Sequence, residues 1–426
     1  MTAKDEGTAV QTTAGPPNRR TCRFCRSPLQ HTVVDLGPSP LCETFPTLEQ
    51  LDDMEPFYPL HVRVCASCLL VQLPEYVSPA DIFTEYAYFS SYSTSWLEHA
   101  RGYAEMIQRR LELGRRSLVV EVASNDGYLL QHFVSLEIPV LGIEPARNVA
   151  AVATDRGIPT ITEFFGAELA TRLVKEGYRA DLLVGNNVFA HVPDLNDFVA
   201  GMRILLAPDG VITLEFPHLA RLFEQNQFDT IYHEHFSYFS FIVACRVLAE
   251  HRLTVFDVEE LPTHGGSLRI YACHQSDESR PVEPSVPKLL AAEQAAGFDQ
   301  LDHYLAFGPR VEAVKRALLD FLIDAKHQGA RVAGYGAPGK GNTLLNYCGI
   351  RTDFLDYTVD RNPYKHGRFL PGTHIPVHAP SRLAETRPDY VVILPWNLRA
   401  EIEAQLAYVR DWGARFVIAI PDLQVW

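Results

Sequence analysis

The chain of 426 residues has no apolar run approaching the roughly 20 residues that a membrane-spanning helix needs, which argues against a membrane partner. Basic residues are scarce too: 38 Lys and Arg stand against 52 Asp and Glu, a formal net charge of -14. A nucleic-acid partner needs a basic surface to neutralise phosphates, so none is expected. A small phosphorylated molecule needs only a few local donors and stays compatible with this charge. The first stretch, residues 1–19, lacks the apolar segment of a secretory signal and is polar and Pro/Gly-spotted. The expectation is a disordered leader and a cytoplasmic protein. In that compartment the eight cysteines read as metal ligands or buried thiols rather than disulfides.

A chain of this length exceeds one ordinary core, and two to three domains are expected. Near its start, Cys22-Arg-Phe-Cys25 and Cys65-Ala-Ser-Cys68 are two equally spaced pairs. Each can present two thiolates from one tight turn, and Cys22, Cys25, Cys65 and Cys68 together complete a closed tetrahedral zinc shell. Such a shell leaves no position for water, so the zinc is structural. The alternatives are two unrelated pairs or a redox pair. Cys42, Cys245, Cys273 and Cys348 have no such partners and read as buried apolar residues.

The middle of the chain alternates short apolar strands (118–122, 140–143, 181–184, 211–215) with helical stretches, the rhythm of a parallel sheet covered on both faces. Ligands of such sheets bind at the carboxyl ends of the strands. The first turn, Ala123-Ser-Asn125-Asp126-Gly127, directly follows Glu121-Val122 and contains one glycine. A dinucleotide needs several glycines there for its pyrophosphate. S-adenosylmethionine carries no phosphate and tolerates a polar turn. Glu144, ending the second strand, is placed to accept hydrogen bonds from both ribose hydroxyls, and Asn186 and Asn187 follow the next strand, beside the adenine and sulfonium. The pair 255–260 and 267–273 closes the sheet around Thr263-His-Gly-Gly266, putting a domain boundary near residue 276. Farther on, the run Gly334 to Thr343 nearly matches a phosphate loop, but Gly341 stands where a magnesium-binding hydroxyl belongs. It reads either as a vestigial nucleotide fold or as a contact for a pyrophosphate at a helix N-terminus. Strands at 355–360, 390–394 and 416–420 complete this α/β layer.

The ordered cysteine pairs, Glu121-Val-Ala-Ser-Asn-Asp-Gly127, Gly142-Ile-Glu-Pro145, Asn186-Asn-Val-Phe-Ala-His191 and Tyr232-His-Glu-His235 together resemble the nucleotide-sugar C-methyltransferases of antibiotic biosynthesis. The likeness spans nearly the whole chain from Cys22. It is strongest to the branch acting at C-3' of dTDP-linked 3-amino-4-keto-2,3,6-trideoxyhexoses, as in tetronitrose formation for tetrocarcin. The resemblance implies an α/β protein with a zinc-binding N-terminal domain (20–88), a central class I methyltransferase domain binding S-adenosylmethionine (89–276) and a C-terminal Rossmann-like domain (277–426). The nucleotide sugar lies between domains, and the chain acts as a monomer. Methylation at C-5', or at C-3' of a 3-hydroxy sugar, is the alternative.

Tyr232-His233-Glu234-His235 is not the H-E-x-x-H of zinc proteases, because its histidines stand two apart and would diverge on a helix. It suits proton abstraction instead. A ketone at C-4' acidifies the C-3' hydrogen, and a neutral His235 is a suitable base. Glu234 is expected to orient His235, with Tyr232 and His191 donating to the enolate oxygen. By the resemblance, Tyr86 also faces the active site.

Overall fold

The computed structural model describes residues 20–79, 89–92 and 94–426. His31–Ser39 (β1), Tyr58–Val64 (β2) and Val71–Gln72 (β3) form an antiparallel sheet. In β2, Leu60, Val62 and Val64 point inward and alternate with Pro59, His61 and Arg63, the period of a strand with one buried face. A fourth strand comes from far downstream: Ser237–Tyr238 pairs with β3, Val71 opposite Tyr238. The segment just after the histidine cluster is thereby stitched to the cysteine-bearing sheet.

The second sheet contains Val119–Val122 (β4), Val140–Ile143 (β5), Thr160–Ile161 (β6), Ala180–Asn186 (β7), Leu206–Pro217 (β8), Leu253–Leu261 (β10) and Ser267–His274 (β11), β9 being the pair Ser237–Tyr238. Its order is β10-β11-β8-β7-β4-β5-β6, with β4 to β8 parallel and β10 and β11 added antiparallel, the closing pair expected of a class I methyltransferase sheet. All four residues of β4 and of β5 are buried, as strands covered on both faces require. Strand order reverses around β4 and β7. A crevice therefore opens beyond their carboxyl ends, where Ala123–Gly127 and Asn186–Asn187 stand.

The helix Phe307–His327 buries Phe307, Val311, Val314, Leu318, Leu322 and Ala325, a stripe at helical spacing, and leads into the third sheet. That sheet holds Val332–Tyr335 (β12), Thr358–Val359 (β13), Val377–His378 (β14), Tyr390–Ile393 (β15), Arg415–Ile418 (β16) and Gln424–Val425 (β17), ordered β14-β13-β12-β15-β16-β17 and parallel except at β17. The strand expected from 355 begins only at Thr358, because Leu355 N–H turns back to bond the carbonyl of Arg351. After β12, Gly336 has φ +90° and its missing Cβ would stand 2.5 Å from Pro395, so that turn needs glycine. The helix Gly339–Cys348 then runs back against the loop before Tyr232, where Thr343 donates to the carbonyl of Ile231 (2.9 Å), and against the N-terminal part of the chain, where Asn342 donates to the carbonyl of Cys42 (2.6 Å). One cluster of buried apolar residues runs through all three sheets.

Candidate active site and zinc centre

The four cysteine sulfurs lie within 4.8 Å of one another, with Cys22 to Cys68 at 3.5 Å and Cys25 to Cys65 at 3.4 Å. A tetrahedral Zn–S shell at about 2.3 Å per bond sets sulfurs about 3.8 Å apart, so the set fits the metal. Each pair sits in an equivalent turn: Arg26 and Leu69, the residues after the second cysteines, have φ of 62° and 64°, and their N–H groups bond the carbonyls of Cys22 and Cys65. Gln72 donates to Cys22 Sγ at 3.2 Å, a further hold on a ligand sulfur.

In the crevice, the first turn obtains its left-handed residues without a glycine series: Ala123 has φ 57° and Asn125 φ 49°, joined by Gly127 at 77°. Glu144 ties two turns together, its carboxylate accepting from the N–H of Asn125 (2.9 Å) and of Ala146 (2.8 Å), which leaves each oxygen a lone pair. The carboxylates of Glu121 and Asp126 are fully buried, with the Tyr128 hydroxyl beside Glu121 and Arg156 approaching Asp126 at 3.5 Å. Burial pushes Glu121 well above the usual carboxylate range, with Glu144 and Asp126 adding to the effect. Three buried acids beside one arginine suit a ligand carrying positive charge. Asn186 Nδ2 reaches Tyr128 Oη at 3.4 Å, and Trp96 stacks on Tyr128 (6.0 Å between ring centres).

The expected base and its neighbours do converge. His235 lies edge-on to His191 at 4.7 Å and over Tyr232 at 4.1 Å, and the N–H of Phe236 bonds the carbonyl of Ala190, tying the two loops. Burial holds His235 down to about 4, and His191 also falls well below the usual imidazole range through burial and the neighbouring His235. One expectation needs correcting. His235 is oriented not by Glu234 but by the carbonyl of Thr230, which meets Nδ1 at 2.9 Å. A tight turn, with His235 N–H bonding the carbonyl of Tyr232, leaves the adjacent Glu234 on another side, where Cys42 Sγ donates to it at 3.8 Å. Cys42 is thus not merely an apolar filler. His233 faces the first sheet, edge-on to Tyr58 and bonded to its carbonyl at 3.3 Å. Tyr86 lies outside the described residues.

Several groups around the site were not singled out from sequence. His264 stands in the Thr263–Gly265 turn with φ 54°, within 3.4 Å of Asn187 and over Trp96 at 5.1 Å. Thr263 bonds the fully buried Glu215, which burial would raise but His99 and Arg269 hold below the usual carboxylate range. Asp229 is completely buried and receives the indole N–H of Trp396 at 2.7 Å. Lys340 lies over that indole, 4.7 Å from its centre. Only Thr263-His-Gly-Gly, read as a strand-closing turn, and the glycine-rich loop, read as a vestigial nucleotide fold or a pyrophosphate contact, marked these places in the sequence.

The C-methyltransferase NovU of Streptomyces niveus is 37% identical to this chain over 404 residues, covering 95% of the chain and 96% of NovU. This chain belongs to the C-methyltransferase family. Along this C-methyltransferase, residues 22–83 match a zinc binding domain, 96–242 a methyltransferase domain and 262–421 a C-methyltransferase C-terminal domain. Among solved structures, the magnesium protoporphyrin IX methyltransferase of Synechocystis PCC 6803 shares 13% identity at a TM-score of 0.31, covering 41% of this chain and 79% of its own. The CcbJ methyltransferase of Streptomyces caelestis shares 10% at 0.34, covering 42% and 90%. The cofactor of this C-methyltransferase is S-adenosylmethionine, whose sulfonium and ammonium match the excess of buried carboxylates, and the four cysteines hold its zinc.

Proposed function

We propose that this C-methyltransferase acts at C-3' of a dTDP-linked 3-amino-2,3,6-trideoxy-4-keto-hexose, through an enolate formed by His235, in antibiotic deoxysugar biosynthesis. The observation that carries this reading is the hydrogen bond from His235 Nδ1 to Thr230. It fixes the tautomer in which Nε2 accepts a proton. Burial keeps the ring neutral at physiological pH, and the negative charge appearing on the substrate raises its proton affinity as the C–H bond breaks. Tyr232 and His191, packed on His235, are the donors for the enolate oxygen; Tyr232 stays protonated because burial raises it well above the usual phenol range. Glu234 borders the same site, and Tyr86 joins it on the strength of the resemblance alone. When bound, S-adenosylmethionine supplies the electrophilic methyl group. Glu121, Ala123, Asn125, Asp126, Gly127, Glu144, Asn186 and Asn187 hold it beyond β4, β5 and β7. The domains are residues 20–88, 89–276 and 277–426, and the enzyme works as a cytoplasmic monomer without a nucleic-acid or membrane partner, consistent with its acidic charge.

The test is incubation of the zinc-loaded enzyme with dTDP-4-ketosugars in D₂O. With S-adenosylhomocysteine present, the hydrogen at C-3' of the 3-amino sugar should exchange. With S-adenosylmethionine, the methyl group should appear at C-3'. His235→Asn, whose side-chain amide can still donate to Thr230, should lose about 10²- to 10⁴-fold in both rates. Exchange or methylation at C-5', or turnover of 3-hydroxy sugars alone, would replace the substrate assignment; wild-type rates in His235→Asn would remove His235 as base.

A further inference from the structure

The proton abstraction proposed above leaves negative charge on the substrate oxygen, and neutral donors such as Tyr232 and His191 bring no full positive charge to meet it. The loop before Tyr232 is bordered by an ammonium group that the family likeness did not mark. Lys340 occupies the first turn of the helix Gly339–Cys348, whose Thr343 bonds the carbonyl next to Tyr232 and whose Asn342 bonds the carbonyl of Cys42. The helix cannot move away from the loop without breaking the Thr343 bond, nor from the N-terminal segment at Cys42 without breaking the Asn342 bond. Lys340 pairs directly with no carboxylate among the described residues. Its Nζ donates to Asn397 Oδ1 at 2.8 Å and lies over the Trp396 ring at 4.7 Å. An ammonium has three donors, and one is used by Asn397.

The mount behind it is specific. Trp396 donates its indole N–H to the fully buried Asp229 at 2.7 Å, while the other oxygen of Asp229 has no hydrogen bond. A carboxylate drawing on the indole proton makes the ring face more negative and the cation above it more strongly held. The same tryptophan is wedged against Gly265, where a Cβ would meet it at 2.7 Å, next to His264. Trp396 and Asn397 follow β15 and Lys340 follows β12, so the third sheet brings the cation to the second sheet's crevice. The surrounding titratable groups are His235, His264 and Asp229, with Glu215 and His99 behind His264. The Lys340 charge opposes protonation of both imidazoles and favours ionisation of Asp229.

We propose that Lys340 is the charge-stabilising residue of the reaction: a fixed ammonium, carried to the crevice by the C-terminal part of the chain, that offsets the negative charge left on the substrate oxygen when His235 takes the C–H proton. The C–H electrons become the C=C bond of the enolate, the carbonyl π electrons move to oxygen, and Lys340 keeps its own proton throughout. This rests on the enolate reading, so the experiment has an arm that needs no sugar.

Zinc-loaded full-length wild type, Lys340→Met and Lys340→Arg are compared. In the first arm the His235 and His264 imidazoles are titrated by NMR without substrate. Lys340→Met should raise both midpoints by about half a pH unit, and Lys340→Arg should leave them near wild type. In the second arm C–H exchange of the 4-ketosugar is followed with S-adenosylhomocysteine. Lys340→Met should slow it about 10²- to 10³-fold with cofactor affinity unchanged, and Lys340→Arg should recover much of the loss. Midpoints that do not move in Lys340→Met overturn the proposal whatever the substrate is. Wild-type exchange in Lys340→Met, or a loss confined to KM, also overturns it, the latter making Lys340 a ground-state binding residue. A wild-type enzyme that exchanges no 4-ketosugar hydrogen instead overturns the substrate reading, and the titration arm still decides whether the Lys340 charge reaches the crevice.

Discussion

Burying a neutral histidine links the stability of this fold to pH, and the effect can be isolated at His235. In the unfolded chain a histidine titrates near about 6.5. Burial brings His235 to about 4 in the folded protein. Between those values the unfolded state binds the extra proton, so the stabilisation is complete above about pH 6.5 and is lost as pH falls toward 4. Linkage across that interval removes about 2 kcal/mol between pH 7 and pH 5. Asp229 works in the opposite direction: burial raises it to about 6, so its protonation stabilises the fold on acidification by a similar amount. The wild-type curve alone is therefore not diagnostic, and the difference from His235→Asn is. Asparagine can keep the donation to Thr230 but does not titrate. Urea unfolding followed by tryptophan fluorescence at pH 7 and pH 5 should show wild type losing about 2 kcal/mol more than His235→Asn. Equal losses in the two proteins would mean that His235 is not held neutral by burial, and the argument for it as a ready base would fall.

The purified protein should contain one zinc per chain, and Cys65→Ser or prolonged chelation should release it and destabilise the first sheet, since structural zinc is worth about 10 to 16 kcal/mol in small zinc domains; zinc retained at full occupancy in Cys65→Ser would contradict the four-sulfur shell. Glu144→Gln replaces an acceptor-only carboxylate with an amide whose NH₂ must face the N–H of Asn125 or Ala146, so stability should drop by about 1 to 3 kcal/mol. The same variant should bind S-adenosylmethionine at least about tenfold more weakly by calorimetry, each charged hydrogen bond being worth about 1.5 to 3 kcal/mol, and unchanged affinity would take Glu144 out of the cofactor site.

Local pattern was enough for the elements that carry their own signal. Two Cys-x-x-Cys turns close by short-range hydrogen bonds and need nothing distant to shape them, so the metal shell was readable in advance. The short, mostly apolar strands β4, β5 and β7 and the lone glycine after β4 likewise disclosed a two-sided parallel sheet with a crevice unsuited to a dinucleotide. Through the family resemblance the sequence also pointed to Tyr232, His235 and His191, whose rings the structure brings together. Which neighbour orients His235 was not readable, because Glu234 is adjacent in sequence but a tight turn sends it toward Cys42. The orienting carbonyl belongs to Thr230, whose side chain gives no hint of that role.

By itself the sequence determined the four-cysteine shell and the two-sided sheet with its polar crevice, which depend on residue type and short spacing, and it pointed to the family by resemblance. Tertiary structure alone decided the pairing of Ser237–Tyr238 with β3, the burial of Asp229 under Trp396 and the arrival of the Lys340 helix against the Ile231 carbonyl. These depend on contacts between residues more than a hundred positions apart. There hydrogen-bond geometry and the cost of burying charge, rather than any local pattern, select one arrangement.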